Sequence, residues 1–338
     1  MRRFAGLLAA LCGFLLSAGC AGASDEAQPS DWRVVDLDAS LYQLRGDKPP
    51  NEAYAIGALI YRGGLHLTSM EKSFGGYSGV TVSPDGAQLL AVSDRRHWLT
   101  AALAYGPDGR LVDADGALVS PVTAVNDEPL AGDQADAEAV FVQGADLFVG
   151  FERQNRIDVY RSGADGRIVF HRNAAAFDNQ AIPFNKGIEA IAPLDDGRLI
   201  AFAEGAPSQD GGVKAWIVDR DGRLSALSYN PAEAFSPTDA MRLPGGDLLV
   251  LERAYSAALG ARARVVRIHA DAIVPGASLE GTELARFSAP LIVDNMEGIA
   301  AREDDEGNTL IYLISDDNQN RRRQKTLLLM FELTEDAG

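Results

Sequence analysis

The chain has 338 residues, 46% of them hydrophobic, which is enough to bury a sizeable core and argues against wholesale disorder. It carries 48 acidic and 31 basic residues, a formal net charge of −17. A field of this sign repels nucleic acid and anionic membranes and attracts cations, so nucleic-acid partners are disfavoured. An anionic substrate would need a local basic patch or a bound metal ion.

Residues 1–23 have the pattern of a secretory signal. Two arginines precede an apolar run over 4–16, which is too short for a transmembrane helix, and small residues follow. Two cleavage sites are compatible. AGA at 21–23 fits the A-x-A rule, while LSAGC ending at Cys20 resembles a lipobox with Ser17 where Leu is usual. The sequence therefore predicts an exported protein, either periplasmic or anchored to the outer membrane through a lipid on Cys20.

Both cysteines, Cys12 and Cys20, lie in this leader. The rest of the chain therefore cannot form a disulfide, a cysteine–metal site or a cysteine nucleophile. After a polar tether over 24–33, we expect residues 34–338 to form a single monomeric domain. Its four histidines are not spaced as zinc ligands, which disfavours zinc.

The domain shows an all-β pattern in which short apolar runs are separated by turn signals. Asp-Gly favours turns because Gly accepts positive φ and Asp bonds its own backbone. Helical periodicity is confined to short stretches near 232–235 and 256–263. The turn signals are Pro84-Asp85-Gly86, Asp108-Gly109, Asp165-Gly166, Asp196-Gly197, Asp221-Gly222 and Pro244-Gly245-Gly246-Asp247.

One pattern recurs about every 50 to 60 residues: a small residue, an acid, a small residue and an apolar run, then a Gly turn and a strand ending in an acid. A repeat of this size with about four strands is typical of a propeller blade. The five copies span 76–96, 136–154, 187–205, 237–255 and 295–317. The first copy departs from the pattern, because Ser78 and Gly79 stand where the others carry an acid.

The blade number follows from how the chain ends are counted. The strands around 33–69 and the segment KTLLLMFEL over 325–333 could form one further blade, which would close the ring and remove its edges. The sequence therefore predicts a β-propeller of six blades, with five or seven as alternatives.

The recurring acids should meet at one place. In each repeat the first acid precedes one strand and the second acid ends the next, so the open end of the hairpin carries both. If these are the inner strands of successive blades, all the pairs collect at one mouth of the central channel. The expected pairs are Glu138 with Glu152, Glu189 with Glu204, Asp239 with Glu252, and Glu297 with Asp316, and Asp94 joins them from the first copy.

Such a ring is destabilising unless it is compensated, because like charges held close raise each other's pKa. Part of the compensation is visible in the basic neighbours Arg95, Arg153, Arg253 and Lys186. A bound Ca²⁺ could supply the rest, since it takes several carboxylate and carbonyl oxygens with flexible geometry. The alternative interpretation is structural: acids at strand ends cap turns or pair with arginine on a solvated rim.

Two other residues invite a catalytic interpretation. Ser78 in GYSGV is not a nucleophile elbow, because Val80 stands where Gly-x-Ser-x-Gly needs its second glycine. His97 follows the first acidic strand end and could act as an acid or base, although a lone histidine is more often a packed or rim residue.

Several segments resemble the phytase-like family of proteobacteria, labelled "esterase-like activity of phytase". The resemblance covers about residues 55–335 and rests on GGYSGVTVSPDG (75–86), LLAVSDRRHWLTA (89–101), DAEAVF (136–141), FERQNRI (151–157), GIEAIA (187–192), DNMEGIA (294–300), LISDDNQN (313–320) and QKTLLLMFEL (324–333). It implies an exported propeller whose Asp and Glu residues do catalytic work, with looser kinship in shape to calcium-dependent propeller phytases. The Arg-His-Gly-x-Arg-x-Pro signature of histidine phosphatases is absent.

The first functional hypothesis is a Ca²⁺-assisted hydrolase of small phosphoesters. Activity should then be lost below about pH 4, where carboxylates ordinarily protonate. The alternatives are a non-catalytic propeller that binds a ligand or an envelope protein, and a lactonase or other carboxylesterase.

The hypothesis gives each candidate residue a role. The expected catalytic residues are Glu138, Glu189, Glu297 and Asp316, and the expected phosphate-binding residues are Arg95, Arg153, Lys186 and Arg253. The expected metal ligands are Asp94, Glu138, Glu152, Glu189, Glu204, Asp239, Glu252 and Glu297.

Overall fold

The computed structural model describes residues 31–50, 52–163 and 166–334. The expected leader, Cys20 and most of the tether lie outside the described residues. Within the described part, the chain forms twenty-four strands and two short 3-10 turns, and no helix there is long and apolar enough to cross a membrane.

The elements follow one another in a simple order along the chain. The strands are β1 (Arg33–Val34), β2 (Asp38–Leu41), β3 (Ala55–Ile56), β4 (Leu59–Thr68), β5 (Tyr77–Val82), β6 (Gln88–Ser93), β7 (His97–Tyr105), β8 (Leu111–Pro121), β9 (Ala137–Gln143), β10 (Asp146–Phe151), β11 (Arg156–Ser162), β12 (Ile168–Ala176), β13 (Ile188–Pro193), β14 (Leu199–Pro207), β15 (Val213–Val218), β16 (Leu224–Tyr229), β17 (Ser236–Arg242), β18 (Leu248–Ser256), β19 (Gly260–Ile268), β20 (Ser278–Leu279), β21 (Thr282–Phe287), β22 (Asn295–Glu303), β23 (Thr309–Asp316) and β24 (Thr326–Leu333). The 3-10 turns are Gly132–Ala135 and Ala270–Ala272.

In the described residues these strands form five sheets, which are the blades of a propeller. Blade 1 contains β5 to β8 with β1 at its edge, and blade 2 contains β9 to β12. Blade 3 contains β13 to β16 with β20, and blade 4 contains β17, β18, β19 and β21. Blade 5 contains β22, β23, β24, β4 and β2 in that order, and β3 pairs with β4.

The first strand of each blade is its inner strand, and the five inner strands contact one another in a closed ring. Going around this ring, β5 is followed by β9, β13, β17 and β22, and β22 returns to β5. These strands therefore enclose a central channel, and the prediction of an all-β propeller is confirmed.

The blade number is five, the alternative, and not the favoured six. The two ends of the chain do meet in one sheet, where β24 pairs antiparallel with β4. That sheet already contains β22 and β23, because the fifth repeat supplies only two strands before the chain reaches β24. The terminal strands thus complete the fifth blade and do not form a blade of their own.

The apolar core lies between neighbouring blades. Five clusters of buried hydrophobic residues are found in the described residues, one at each blade-to-blade contact. Near the channel, the inner strands approach so closely that small residues are required. A Cβ on Gly79 would lie 2.6 Å from the backbone nitrogen of Val140, and one on Gly298 would lie 2.8 Å from the carbonyl oxygen of Ser78. This contact explains the small residues of the repeat.

Candidate functional site

Each inner strand contains a β-bulge close to its beginning. Where the inner strand pairs with the second strand of its blade, one residue has no partner and the register shifts across it. Bulges re-aim a side chain and are common at the rims of closed sheets. The five bulged residues are Ser78, Glu138, Glu189, Thr238 and Glu297.

A second position is also equivalent in all five blades. It lies at the end of the second strand of the blade, where this strand pairs with the inner-strand residue two places before the bulged one. The backbone N–H of Glu152 donates to the carbonyl of Asp136, and the N–H of Glu204 donates likewise to Gly187. The register of blades 1, 4 and 5 is the same. The five strand-end residues are Asp94, Glu152, Glu204, Arg253 and Asp316.

These ten residues, here called the mouth ring, lie at the end of the channel where the inner strands begin. Three bulged residues and four strand-end residues are acids, so the expected convergence of carboxylates is present. Carboxylate oxygens of Glu152, Glu189 and Glu204 lie within 4.8 Å of one another. Asp136, Glu138 and Glu152 form a second group of the same size. The expected pairs of blades 2 and 3 therefore do meet.

Blade 4 differs from the expectation. Asp239 and Glu252 do not belong to the mouth ring, because Thr238 occupies the bulge and Arg253 occupies the strand-end position. Asp239 follows the bulge, where the other blades carry Gly or Ala, and it is buried. Its two carboxylate oxygens accept hydrogen bonds from the backbone N–H groups of Ala240 and Ile299, both at 2.8 Å.

Glu252 lies between blades 3 and 4, on the face of β18 opposite to Arg253. Its side chain is fully buried and accepts hydrogen bonds from the guanidinium of Arg264 and from the hydroxyl of Tyr229. Arg264 also contacts Glu283 at 3.1 Å. Glu252 is thus the centre of a closed interblade network and is not placed to hold a channel cation.

Arg253 places a positive charge inside the mouth ring. Its Nε lies 3.0 Å from Glu297 Oε2 and one terminal nitrogen lies 3.4 Å from Glu204 Oε1, so it bridges blades 3 and 5. Lys186 Nζ lies 2.6 Å from the other oxygen of Glu204. Both cations lower the cost of holding these carboxylates together.

The remaining two basic candidates lie further out. Arg153 is half-exposed, with its Nε 2.9 Å from Asp136 Oδ2 and its guanidinium over the ring of Phe184. Arg95 is exposed and has no ion pair with any described residue, although its charge opposes the burial that raises the pKa of Asp94 to about 6.

Glu189 and Glu138 are the two acids of the mouth ring without a hydrogen bond or an ion pair in the described residues, and Glu189 is the more buried of the two. Its side chain is only 7% exposed, and within the described residues its carboxylate has neither a hydrogen bond nor an ion pair. Burial raises its pKa well above the ordinary value, and the charges of Glu138, Glu152, Glu297 and Glu204 raise it further. A buried carboxylate without a partner is costly, and a cation bound beside it would remove that cost.

The neighbouring acids are perturbed in the same direction. Burial raises the pKa of Glu152 and of Glu297 to about 7, although the Gly187 N–H and Arg253 respectively oppose the shift. Burial and then the charge of Asp94 raise the pKa of Asp316 to about 8. For Glu138, which keeps some solvent access, burial and then Asp136 raise the pKa well above its usual range.

Two acids beside the mouth ring were not among the site residues predicted from the sequence. Asp136 joins Glu138 and Glu152 in one of the two carboxylate groups, and its signal was present in DAEAV, two residues before the bulge. Asp317 follows Asp316 and links blades 5 and 1, because its Oδ1 accepts from the N–H of Gly76 at 3.2 Å.

The fold and the site define a five-bladed β-propeller with a carboxylate-lined channel mouth. Residues 72–319 match the phytase-like family described as "Esterase-like activity of phytase", and the chain belongs to this family. A comparison with curated proteins finds no match.

Solved structures resemble the chain at low identity. An endo-arabinase from Bacteroides thetaiotaomicron is 13% identical with a TM-score of 0.48, covering 85% of this chain and 99% of its own. A putative gluconolactonase is 12% identical with a TM-score of 0.40, covering 91% and 94%. A thermostable family-43 glycoside hydrolase is 10% identical with a TM-score of 0.47, covering 78% and 92%. Likenesses at this level carry no inference about activity.

The raised pKa values predict how the metal-free protein responds to pH. The folded state holds protons on Asp94, Glu152, Glu297 and Asp316 more tightly than the unfolded chain, with folded pKa values of about 6 to 8. Their contribution to stability is therefore complete below about pH 4 and is lost as the pH rises through 8.

Calorimetric melting in chelator should show this directly, with a melting temperature that falls by several degrees between pH 5 and pH 8. Acids with lowered pKa values, such as Asp247 and Asp304, contribute stability that is complete above about pH 4 and is lost only as the pH falls below it, so they do not mask the trend. A melting temperature that is constant or rises over this range contradicts the proposed crowding.

Two matched substitutions should have opposite signs. Glu189→Gln removes an uncompensated buried charge and should stabilise the metal-free protein at pH 8. Glu252→Gln removes the buried carboxylate partner of Arg264, which keeps only the more exposed Glu283, and should destabilise by about 3 kcal/mol. Urea unfolding at pH 8 measures both. Equal effects of the two substitutions would show that the Glu189 environment is not as described.

Proposed function

We propose that the protein is an exported Ca²⁺-assisted hydrolase of phosphoester bonds, with its metal site at the mouth ring. The observation that carries the proposal is the group Glu152, Glu189 and Glu204, whose ligand oxygens lie within 4.8 Å of one another while Glu189 has no partner among the described residues. Export rests on the leader pattern, through either the site at 21–23 or a lipid on Cys20.

The donor set suits a hard cation. The group offers carboxylate oxygens only, which Ca²⁺ prefers, and no histidine belongs to the carboxylate groups found in the described residues. Glu152 also accepts a 3.2 Å hydrogen bond from the backbone N–H of Gly187, which fixes its orientation. When bound, Ca²⁺ would supply the positive charge that an anionic ester needs in this acidic channel.

The residues around this group can perform the reaction. The oxygen of a water molecule attacks phosphorus, the bond between phosphorus and the ester oxygen breaks, and the alcohol leaves with a proton taken from solvent. Glu138 is placed to accept the proton of the attacking water, because its carboxylate is half-buried and has no hydrogen bond within the described residues. Burial and then the charge of Asp136 raise the pKa of Glu138, which makes its carboxylate a stronger base than an ordinary one.

The four basic residues divide into two roles. Arg253 and Lys186 are occupied by Glu204 and Glu297, so they act as internal counterions. Arg95 and Arg153 lie further out and are exposed, so they are the better candidates to contact phosphate oxygens, although Arg153 would have to keep or exchange its ion pair with Asp136. Of the four phosphate-binding residues expected from the sequence, this assignment keeps Arg95 and Arg153.

The raised pKa values also raise the pH below which activity is expected to be lost. Sequence reasoning places the loss below about pH 4, where ordinary carboxylates protonate. Cation binding requires deprotonated ligands. Because Glu152 has a pKa near 7 and that of Glu189 is raised well above its ordinary value, activity should decline below about pH 7.

A non-catalytic binding propeller is the second candidate. It is favoured by the contacts of Arg253, whose ion pairs with Glu204 and Glu297 compensate two acids without any added ion. In that case, the mouth ring would be a structural or ligand-binding feature only.

The deciding experiment measures alcohol or phosphate release from phosphomonoesters, phosphodiesters and lactones by the chelator-treated protein, with and without Ca²⁺. We expect Ca²⁺-dependent turnover of a phosphoester. Glu138→Gln should lower kcat about a hundredfold with Ca²⁺ affinity nearly unchanged, while Glu189→Gln should weaken Ca²⁺ binding. Glu303→Gln, an exposed acid at the far end of β22, is the matched control.

Two other outcomes of this assay would each support a different function. Turnover of lactones alone would replace the phosphoester proposal with the carboxylesterase alternative. Ca²⁺ binding that raises the melting temperature without any turnover would support the binding propeller.

A further inference from the structure

Blade 3 carries a cavity on its flank, separate from the channel. This flank cavity has a volume of about 650 Å³ and lies between β15 and β16 and the segments 178–182, 208–210 and 276–277. A volume of this size is typical of small-molecule sites. None of the mouth-ring residues lines it, so an inference about it does not rest on the proposed hydrolase activity.

One wall of the flank cavity is apolar and aromatic. It includes Trp216, Ile182 and Leu227, and Phe177 packs edge-on against the indole with ring centroids 5.1 Å apart. Trp216 is partly exposed, whereas the other two tryptophans, Trp32 and Trp98, are buried. An accessible indole is the aromatic ring that attracts cations most strongly.

Another part of the lining is polar and negative. Asp210 accepts hydrogen bonds from the hydroxyls of Ser208 and Ser228, which orient both of its carboxylate oxygens. These bonds lower the pKa of Asp210 to about 2, so it is ionised at any physiological pH. Asp178 adds a second carboxylate to the lining.

Lys214 is the basic residue of the lining, and its charge disfavours the binding of a cation. Its Nζ donates a 2.6 Å hydrogen bond to the carbonyl of Ala181, which holds the segment 178–182 against β15. The lysine is thereby part of the wall. The two carboxylates of the lining still leave one negative charge in excess of Lys214.

We propose that the flank cavity binds a small organic cation with an apolar body, such as a quaternary ammonium compound, between the indole of Trp216 and the carboxylate of Asp210. Charge complementarity favours this ligand over an anion, because the lining and the whole chain are negative. A neutral apolar ligand would desolvate the charge of Asp210 without supplying a positive charge to compensate it, which is unfavourable.

Intrinsic fluorescence tests the proposal in the intact protein, because Trp216 is the tryptophan that a ligand can reach. Choline is the probe, and dimethylbutanol, its uncharged carbon analogue, is the matched control ligand. We expect a saturable fluorescence change with choline and at least about tenfold weaker binding of dimethylbutanol. Excess Ca²⁺ should not displace choline, since the mouth ring is a separate site.

Substitutions locate the binding site. Asp210→Asn and Trp216→Leu should each weaken choline binding about tenfold, as measured by calorimetry. Asp221→Asn, an exposed acid outside the cavity on the same blade, should leave it unchanged. If Asp210→Asn does not fold, as judged by its melting temperature, Asp178→Asn replaces it.

Three results overturn the proposal. They are the absence of saturable binding, equal affinity for choline and dimethylbutanol, and displacement of choline by Ca²⁺, which would place the cation in the channel. Failure of the hydrolase assay does not bear on this outcome, because the readout here is ligand binding at another blade surface.

Discussion

Repulsion between carboxylates in one narrow channel is the constraint on which the rest of this structure depends. Seven acids of the mouth ring share the end of the channel, and Arg253 is the one ring residue that opposes them within the described chain. Its bridge from Glu204 to Glu297 ties blades 3 and 5 across blade 4. The other five ring acids lie outside this bridge. Among them Glu138 and Glu189 have neither a hydrogen bond nor an ion pair in the described residues, so the uncompensated charge is concentrated on these two.

The backbone creates this crowding through a repeated local irregularity. A bulge in each inner strand turns one side chain toward the channel, and the small residue after it lets neighbouring inner strands approach. Whether a blade places a charge at its bulge then depends on one side chain. Ser78 and Thr238 keep blades 1 and 4 neutral at the bulge, while Glu138, Glu189 and Glu297 make the other three blades acidic. The channel is therefore electrostatically asymmetric on a nearly symmetric frame.

Much of this arrangement could be predicted from the sequence, because the repeat fixes the strand order and the position of the acids. The propeller class and the pairs Glu138–Glu152 and Glu189–Glu204 follow from it. Blade 4 could not be placed correctly, because a shift of one residue in register reverses which side of a strand faces the channel. Aligning Asp239 with Glu138 therefore also exchanged the roles of Glu252 and Arg253.

The blade number and the flank cavity needed the structure for different reasons. Counting strands could not show that β24 and β4 complete the sheet of β22 and β23, because that pairing joins the two ends of the chain. The flank cavity brings together Trp216, Asp210 and segments from two other parts of the chain, and no spacing along the sequence indicates their proximity.

The central claim is that the mouth ring binds a divalent cation through carboxylates that hold protons near neutral pH. Calorimetric titration of Ca²⁺ at pH 7, in two buffers with different ionisation enthalpies, tests it most directly because it measures binding and proton release together. We expect the mouth ring to bind Ca²⁺ with release of about one proton or more per ion at pH 7, and with little release at pH 9. Absence of binding, or binding without proton release at pH 7, would contradict it.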